Sequence, residues 1–264
     1  MEHETLIRLT AFLGLFALFA LIETIWPRRD RVQARPGRWL TNIALVVIDS
    51  AATRLLALGL PLLAVGAALD AAANGWGLFN MTNWPLGLEI LLAILIFDLA
   101  IWTQHLVTHK IPVLWRFHRV HHADRDLDVT SALRFHPVEI LFSMLLKIGL
   151  VYLLGPAAIA VVLFEVILNG TAMFNHANIR LPLGLDRLIR TLLVTPDMHR
   201  VHHSDIRSEH DSNYGFALSI WDRLFGTYIE QPKQGHDRMT VGLQWQDDRP
   251  ARLGWVLALP FFRK

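Results

Sequence analysis

Long apolar stretches alternate along the chain with short charged connections. Leu6 to Trp26 is apolar except for Arg8, Thr10, Glu23 and Thr24, and about twenty such residues suffice to cross a bilayer as a helix. Further stretches run from Asn42 to Leu69, broken by Asp49 and Arg54, from Leu86 to Thr108, and from Val138 to Leu154. After Gly155-Pro156 a fifth runs from Ala157 to Phe174. MEHE precedes the first stretch and PRRDR follows it. Neither is a basic leader or a small-residue cleavage site, so the segment reads as a retained anchor. The pattern predicts an all-α fold: a multi-pass membrane helical bundle of about four spans, or three plus a re-entrant hairpin at 138–175, with a histidine-rich helical cap.

The connections set the expected orientation. Residues 27–38 hold Arg28, Arg29, Arg31, Arg35 and Arg38, whereas residues 70–85 hold no Lys or Arg. Residues 109–137 and the chain after His176 are again rich in both. Positive connections stay inside, which places the histidine-rich segments on the cytoplasmic face. That face belongs to the plasma membrane in a bacterium or to the endoplasmic reticulum in a eukaryote. Residues 253–262 are too short to span and are expected at the interface.

Composition sharpens this picture. The 264 residues are 53% hydrophobic and only 18% charged, against about a quarter charged in soluble domains. Cysteine is absent, which excludes disulfides, thiolate zinc sites, Cys-ligated iron–sulfur clusters and a cysteine nucleophile. A net charge of +2 gives no reason to expect a nucleic-acid partner.

Thirteen histidines are present, and they cluster. HLVTH supplies His105 and His109 at the end of the third stretch. HRVHH then occurs twice, as His118, His121 and His122 and as His199, His202 and His203. Positions i, i+3 and i+4 share one helical face, so each segment presents its imidazoles in one direction. Clustered neutral imidazoles without a metal would leave acceptor nitrogens facing one another. The repeat reads as one chemical demand met twice, because the flanks of the two copies do not align further. One zinc takes four ligands, and calcium and magnesium prefer oxygen. Imidazole suits zinc, copper, iron and nickel, and eight or nine nitrogens fit two ions with open positions. Haem uses isolated axial histidines rather than dense triplets.

HLVTH, HRVHH and HRVHHSD, with FNHANI (174–179) and DSNYGFALSIWDRLFGTY (211–228), resemble the fatty acid hydroxylase/sterol desaturase superfamily over roughly residues 86–228. That resemblance implies a non-haem di-iron centre using O₂ and external electrons to hydroxylate, or desaturate, a C–H bond of a lipid such as a sterol or fatty acyl chain. It implies as ligands His105, His109, His118, His121, His122, His199, His202 and His203, with His176 of FNHANI as a further one. Leu106 stands where many members carry arginine. No haem-binding module or flavin fingerprint is visible, so a separate ferredoxin or cytochrome b5-like protein is expected as electron donor. The implied organisation is an N-terminal transmembrane region (1–85), a catalytic domain (86–230) and a C-terminal cytoplasmic tail (231–264). Competing readings are a zinc-dependent membrane hydrolase and a non-catalytic metal-binding protein.

Other polar residues carry expectations too. Asp98, two turns before His105, is expected to orient a ligand imidazole, and Glu165 is a second candidate. His136, before Pro137, is expected as a helix cap or carbonyl-bonded side chain, with a metal ligand or a supporting role near the site as the alternative. Asn175, Asn213 and Tyr214 are candidates for supporting the ligands or the local structure. Asp49 and Arg54 are expected as a packing pair or a helix-interface feature, 221–223 (Trp-Asp-Arg) to pack the cap, and His3, His210 and His236 to lie in solvent.

Overall fold

A computed structural model describes residues 4–59 and 63–262. Every regular element among them is helical, apart from three isolated β-bridges. Five segments are long and apolar enough to cross a membrane: α1 (Glu4–Ile25), α2 (Arg35–Gly59) with its continuation α3 (Ala64–Asn74), α4 (Leu86–Lys110), α6 (Pro137–Leu154) and α7 (Ala158–His176). The protein is an integral membrane helical bundle, with five rather than about four helices of membrane length. The difference lies in the 138–175 hairpin. Its arms hold 18 and 19 residues, or ~27–28 Å at 1.5 Å per residue, close to the ~30 Å hydrocarbon thickness.

The hairpin turns at Gly155, the C-cap of α6, in the left-handed region (φ 61°). A Cβ there would collide with the Trp76 carbonyl, because residues 76–79 lie across the turn and donate from Leu78 and Phe79 to the carbonyls of Leu153 and Leu154 (3.1 and 2.7 Å). Around this end Ala67, Ala68, Phe97, Val161 and Phe164 form the largest apolar core. α7 runs through the middle of the bundle and packs on α1, α3 and α4.

At the opposite end the helices meet a polar cap. α5 (Pro112–His122) follows α4 after a break at Ile111, with Pro112 at its first position, where a missing N–H costs nothing. Short helices α8 (Leu183–Ile189), α9 (Pro196–His202), α10 (Arg207–His210) and α11 (Ile220–Leu224) follow α7, with α9 packed on α7 and α10 on α9. The C-terminal α12 (Leu253–Ala258) and the turn after it pack on α2 and α5. Residues 253–262 are thus docked on the cap, with Val256 and Leu259 fully buried and Phe261 exposed.

A buried ionic knot fastens this end. The Arg38 guanidinium spans Asp124 (2.7 and 3.0 Å) and Asp128 (2.8 Å), all almost fully enclosed. Glu23 of α1 accepts from the backbone N–H groups of Val129 and Asn178 (3.0 and 3.2 Å). The arginine-rich connection after α1 and both histidine pentapeptides therefore share one end of the bundle.

Candidate metal centre

Two histidine groups lie side by side beneath the cap. His105, His109, His118, His122 and His202 form one; His121, His176, His199 and His203 form the other. Within each, the potential ligand nitrogens lie within 4.8 Å of one another. Helical geometry explains the division. In each pentapeptide the first and fifth residues, one turn apart, join one group, and the fourth joins the other. α5 gives His118 and His122 to the first group and His121 to the second; the α9 segment gives His199 and His203 to the second and His202 to the first.

Surrounding acceptors fix the rings. Nδ1 of His105 meets the Tyr214 carbonyl at 2.7 Å, that of His121 the Arg134 carbonyl at 3.2 Å, that of His176 the Ala172 carbonyl at 2.8 Å, and that of His202 the Ser212 carbonyl at 2.6 Å. Nδ1 of His118 meets Glu139 Oε1 at 2.6 Å. Each acceptor demands a proton on Nδ1, which leaves Nε2 a bare lone pair.

Those lone pairs converge. Nε2 of His105 lies 3.0 Å from Nε2 of His118, and Nε2 of His176 lies 3.1 Å from that of His121. Two bare acceptors at that distance repel, so the arrangement asks for a cation between them. Nitrogens each ~2.1 Å from one ion and at right angles would be about 3.0 Å apart. Both nitrogens of His122, and Nε2 of His202, are buried without a hydrogen-bond partner, and all nine histidines are buried. Burial, then the neighbouring imidazoles, hold His121, His122, His199 and His203 well below the usual histidine range. Burial does the same at His202. Neutral nitrogens are what a metal needs, and the residues fit two ions.

Other expected residues sit elsewhere. Asp98 accepts from the Trp221 indole (2.8 Å) and the Leu218 N–H (3.2 Å), not from an imidazole; the cap folds onto that face of α4 before the histidine level is reached. Glu165 pairs with Arg8 and Lys147 (2.8 and 2.7 Å) instead of a ligand ring. Asn175 donates to the Phe216 carbonyl, and Asn213, in the left-handed region (φ 50°), donates to the carbonyls of Met198 and Ile229. Both hold cap backbone and touch no imidazole. His136 caps α6 by accepting from the Val138 N–H and lies 3.3 Å from the Leu257 carbonyl. His210 and His236 are buried, not solvated: His210 stacks on Trp115 (5.4 Å, 15°), and His236 lies 3.8 Å from Asp197. Asp49 and Arg54 form no ion pair among the described residues, and His3 lies outside them.

Glu139 escaped the sequence reading. Its signal was an acid in the first turn of the helix that HP opens at 136–137, a position usually explained by the helix dipole. Asp222 was read only as packing. It accepts from the N–H groups of Tyr214 and Gly215 (2.8 Å each) and from Trp102 (3.0 Å), fixing the Tyr214 carbonyl that holds His105.

A cavity of about 520 Å³ opens on the first group at His105 and His118. It runs between α1, α2, α4, α6 and α7, lined by apolar side chains such as Phe12, Ile101, Leu133, Met144, Leu168 and Phe216. Fold and site together define a polytopic membrane protein whose histidine-lined centre, able to hold two metal ions, faces a cavity within the helices.

Comparison with known proteins gives the family. Residues 90–227, just over half of the chain, match the fatty acid hydroxylase family model. The ornithine lipid hydroxylase OlsE of Rhizobium tropici is 30% identical over 84% of this chain and 67% of its own length. The alkylglycerol monooxygenase of Homo sapiens is 33% identical over 50% of this chain, and the cholesterol 25-hydroxylase of Homo sapiens 29% identical over 53%. The chain spans 28% of that monooxygenase and 50% of that 25-hydroxylase. No solved structure matches it. The chain belongs to the fatty acid hydroxylase family.

Proposed function

We propose that the protein is a membrane oxidoreductase that hydroxylates a C–H bond of a lipid, using O₂ and external electrons at a non-haem di-iron centre. The observation that carries this reading is the pair of neutral histidine groups opening directly on a cavity between membrane helices. The relatives' names, which speak of an ornithine lipid, an alkylglycerol and cholesterol, support a lipid substrate and hydroxylation over desaturation.

His105, His109, His118, His122 and His202 would hold one iron, and His121, His176, His199 and His203 the other. Bound iron supplies the redox chemistry that joins an oxygen atom from O₂ to carbon. The chain supplies the rest. Glu139 and four backbone carbonyls keep the proton on Nδ1 and aim Nε2 inward. The apolar wall takes the lipid and excludes water, while His105 and His118 form the boundary where the reacting carbon must arrive.

Residues 86–230 form the proposed catalytic domain. The N-terminal region (1–85) adds cavity wall through Phe12 and Asp49, and the tail (231–264) braces α5 through the Leu259 carbonyl, which accepts from Arg119. The arginine-rich connections at the histidine end support a centre on the cytoplasmic side, where a separate ferredoxin or cytochrome b5-like protein would donate the electrons. The test is purification with metal analysis, followed by O₂ uptake and lipidomics of cells with and without the protein. Two irons per chain and a lipid gaining one oxygen are expected. Stoichiometric zinc with activity under anaerobic conditions would overturn the reading.

A further inference from the structure

The lipid cavity has polar lining that the proposed chemistry does not use, Asp49 and Arg54 of α2 among it. Three carboxylates line it: Glu139, Glu165 and Asp49. Glu139 is engaged with His118, and Glu165 is bridged by Arg8 and Lys147. Asp49 is 8% exposed, and its Oδ1 is enclosed without a partner among the described residues. An unpaired carboxylate within a membrane helix is costly and persists where function requires it. Asp49 lines the cavity; its enclosed Oδ1 is closed to an occupant, and Oδ2, to which no described residue donates, is the oxygen available to one.

Its level in the bundle matters. Asp49 lies one helical turn beyond Leu45, and Leu45 packs on Val120 and Ala123 at the end of the α5 segment that carries His118 to His122. Asp49 therefore belongs to the part of the wall near the histidines, together with Ser50 and Thr53 of the same helix. A hydrogen-bond donor that completes it would arrive with the cavity's occupant.

We infer that Asp49 is the polar-group receptor of this cavity, accepting a hydrogen bond from a hydroxyl or ammonium group of the lipid and selecting substrates that carry such a donor near the reacting carbon. This rests on the lipid-oxidation reading and names the substrate class within it. Lipids of the same length whose donor is methylated would leave the carboxylate unpaired and bind more weakly.

The test is binding to the purified metal-loaded protein by native mass spectrometry, with two probe pairs: 1-O-hexadecylglycerol against its 2,3-di-O-methyl ether, and octadecylamine against octadecyltrimethylammonium. Wild type is expected to prefer the donor member of at least one pair by about tenfold or more, as for a hydrogen bond to a charged group. The preferred pair tells hydroxyl from ammonium. Asp49→Leu, similar in size, should abolish the preference while leaving metal content and affinity for the methylated probe unchanged. If Asp49→Leu does not fold, Asp49→Asn serves: its amide oxygen still accepts from a hydroxyl but loses the attraction for an ammonium ion. No preference in wild type, a preference retained in the leucine variant, or equal weakening of both members of a pair would each overturn the inference. Binding selectivity requires no turnover, so failure of the wild-type protein to oxidise any lipid counts against the catalytic reading alone.

Discussion

Replacing Arg38 by methionine tests whether the ionic knot holds the centre in place. The guanidinium donates to both oxygens of Asp124, to Asp128, to the Asp126 carbonyl (3.0 Å) and to Ser131 Oγ (3.2 Å). Burial alone would raise the Asp124 carboxyl, but the guanidinium groups of Arg38 and Arg134 beside it hold it well below the usual carboxylate range. Methionine fills much of the volume and removes the charge, leaving Asp128 without its cation and Asp124 with only the Arg134 charge nearby. Breaking a buried pair from one side costs ~3–5 kcal/mol. Asp124 keeps Ser131 Oγ (2.9 Å), and Asp128 keeps the Trp39 indole (3.0 Å) and the Thr130 N–H (2.9 Å), so the lower end, ~3 kcal/mol, is expected. For a chain of this size that is a fall in Tm of about 6–12 °C. The loss should reach the metals as well, because the 123–134 loop ends at the Arg134 carbonyl that orients His121. Thermal unfolding in detergent and metal analysis of the same sample provide the assay. Asp124→Asn in the same background should recover part of the loss, since it removes one of the two carboxylate charges. An Arg38→Met protein within ~1 kcal/mol of wild type and fully metallated would refute the role given to the knot.

Further tests address the site directly. His202→Ala and His203→Ala remove one ligand from different groups; each should abolish product and lower metal content, and full activity in either would refute its assignment. Glu139→Gln keeps an acceptor but loses the charge facing His118, and a ~10–100-fold fall in metal affinity or activity is expected, read by metal competition. Gly155→Ala places a Cβ in the left-handed region and against the Trp76 carbonyl, so a loss of ~1–2 kcal/mol or more in unfolding free energy is expected. For pH, the sign follows from folded-state values that are depressed at His121, His122, His199, His202 and His203. The unfolded chain binds more protons below about pH 6.5, so the metal-stripped protein loses stability as pH falls through that value, by up to ~1.4 kcal/mol per pH unit for each histidine titrating. Bound metal should blunt this loss, and a Tm independent of pH between 7.5 and 5.5 in the stripped protein would contradict it.

The apolar stretches and the histidine spacing were legible in the sequence because each is a local signal. A span is a run of residues, and a box is a helical face. What the sequence did not disclose is set by packing between distant segments. Asp98 has the spacing of a ligand-orienting carboxylate, yet Trp221, 123 positions away, reaches it. Glu139 has the place of a dipole-compensating acid, yet α5 swings His118 against it. His210 sits in polar sequence, yet the cap folds its ring onto Trp115. The division of the histidines between two groups was likewise invisible, because a shared face does not say which neighbour lies on each side.

The repeated Arg-Val inside the two pentapeptides follows from the same geometry. With residues one, four and five of the segment turned toward the two histidine groups, the third is turned away from them, into the packing behind the helix. Val120 and Val201 fill it, both fully buried, Val120 against Leu45, Val256 and Leu259. The second residue points to the flank, where each arginine ties its segment down. Arg119 donates to the carbonyls of Leu259 and Phe262, and Arg200 pairs with Asp197. A helix that divides three imidazoles between the two groups cannot be free to rotate, and a valine behind with an arginine beside it oppose that rotation. Val201→Ala should therefore cost stability as a core truncation and also loosen both metals, since the α9 segment serves both groups. A variant that lost stability but kept both metals at wild-type affinity would show that the filler packs the helix without aiming it.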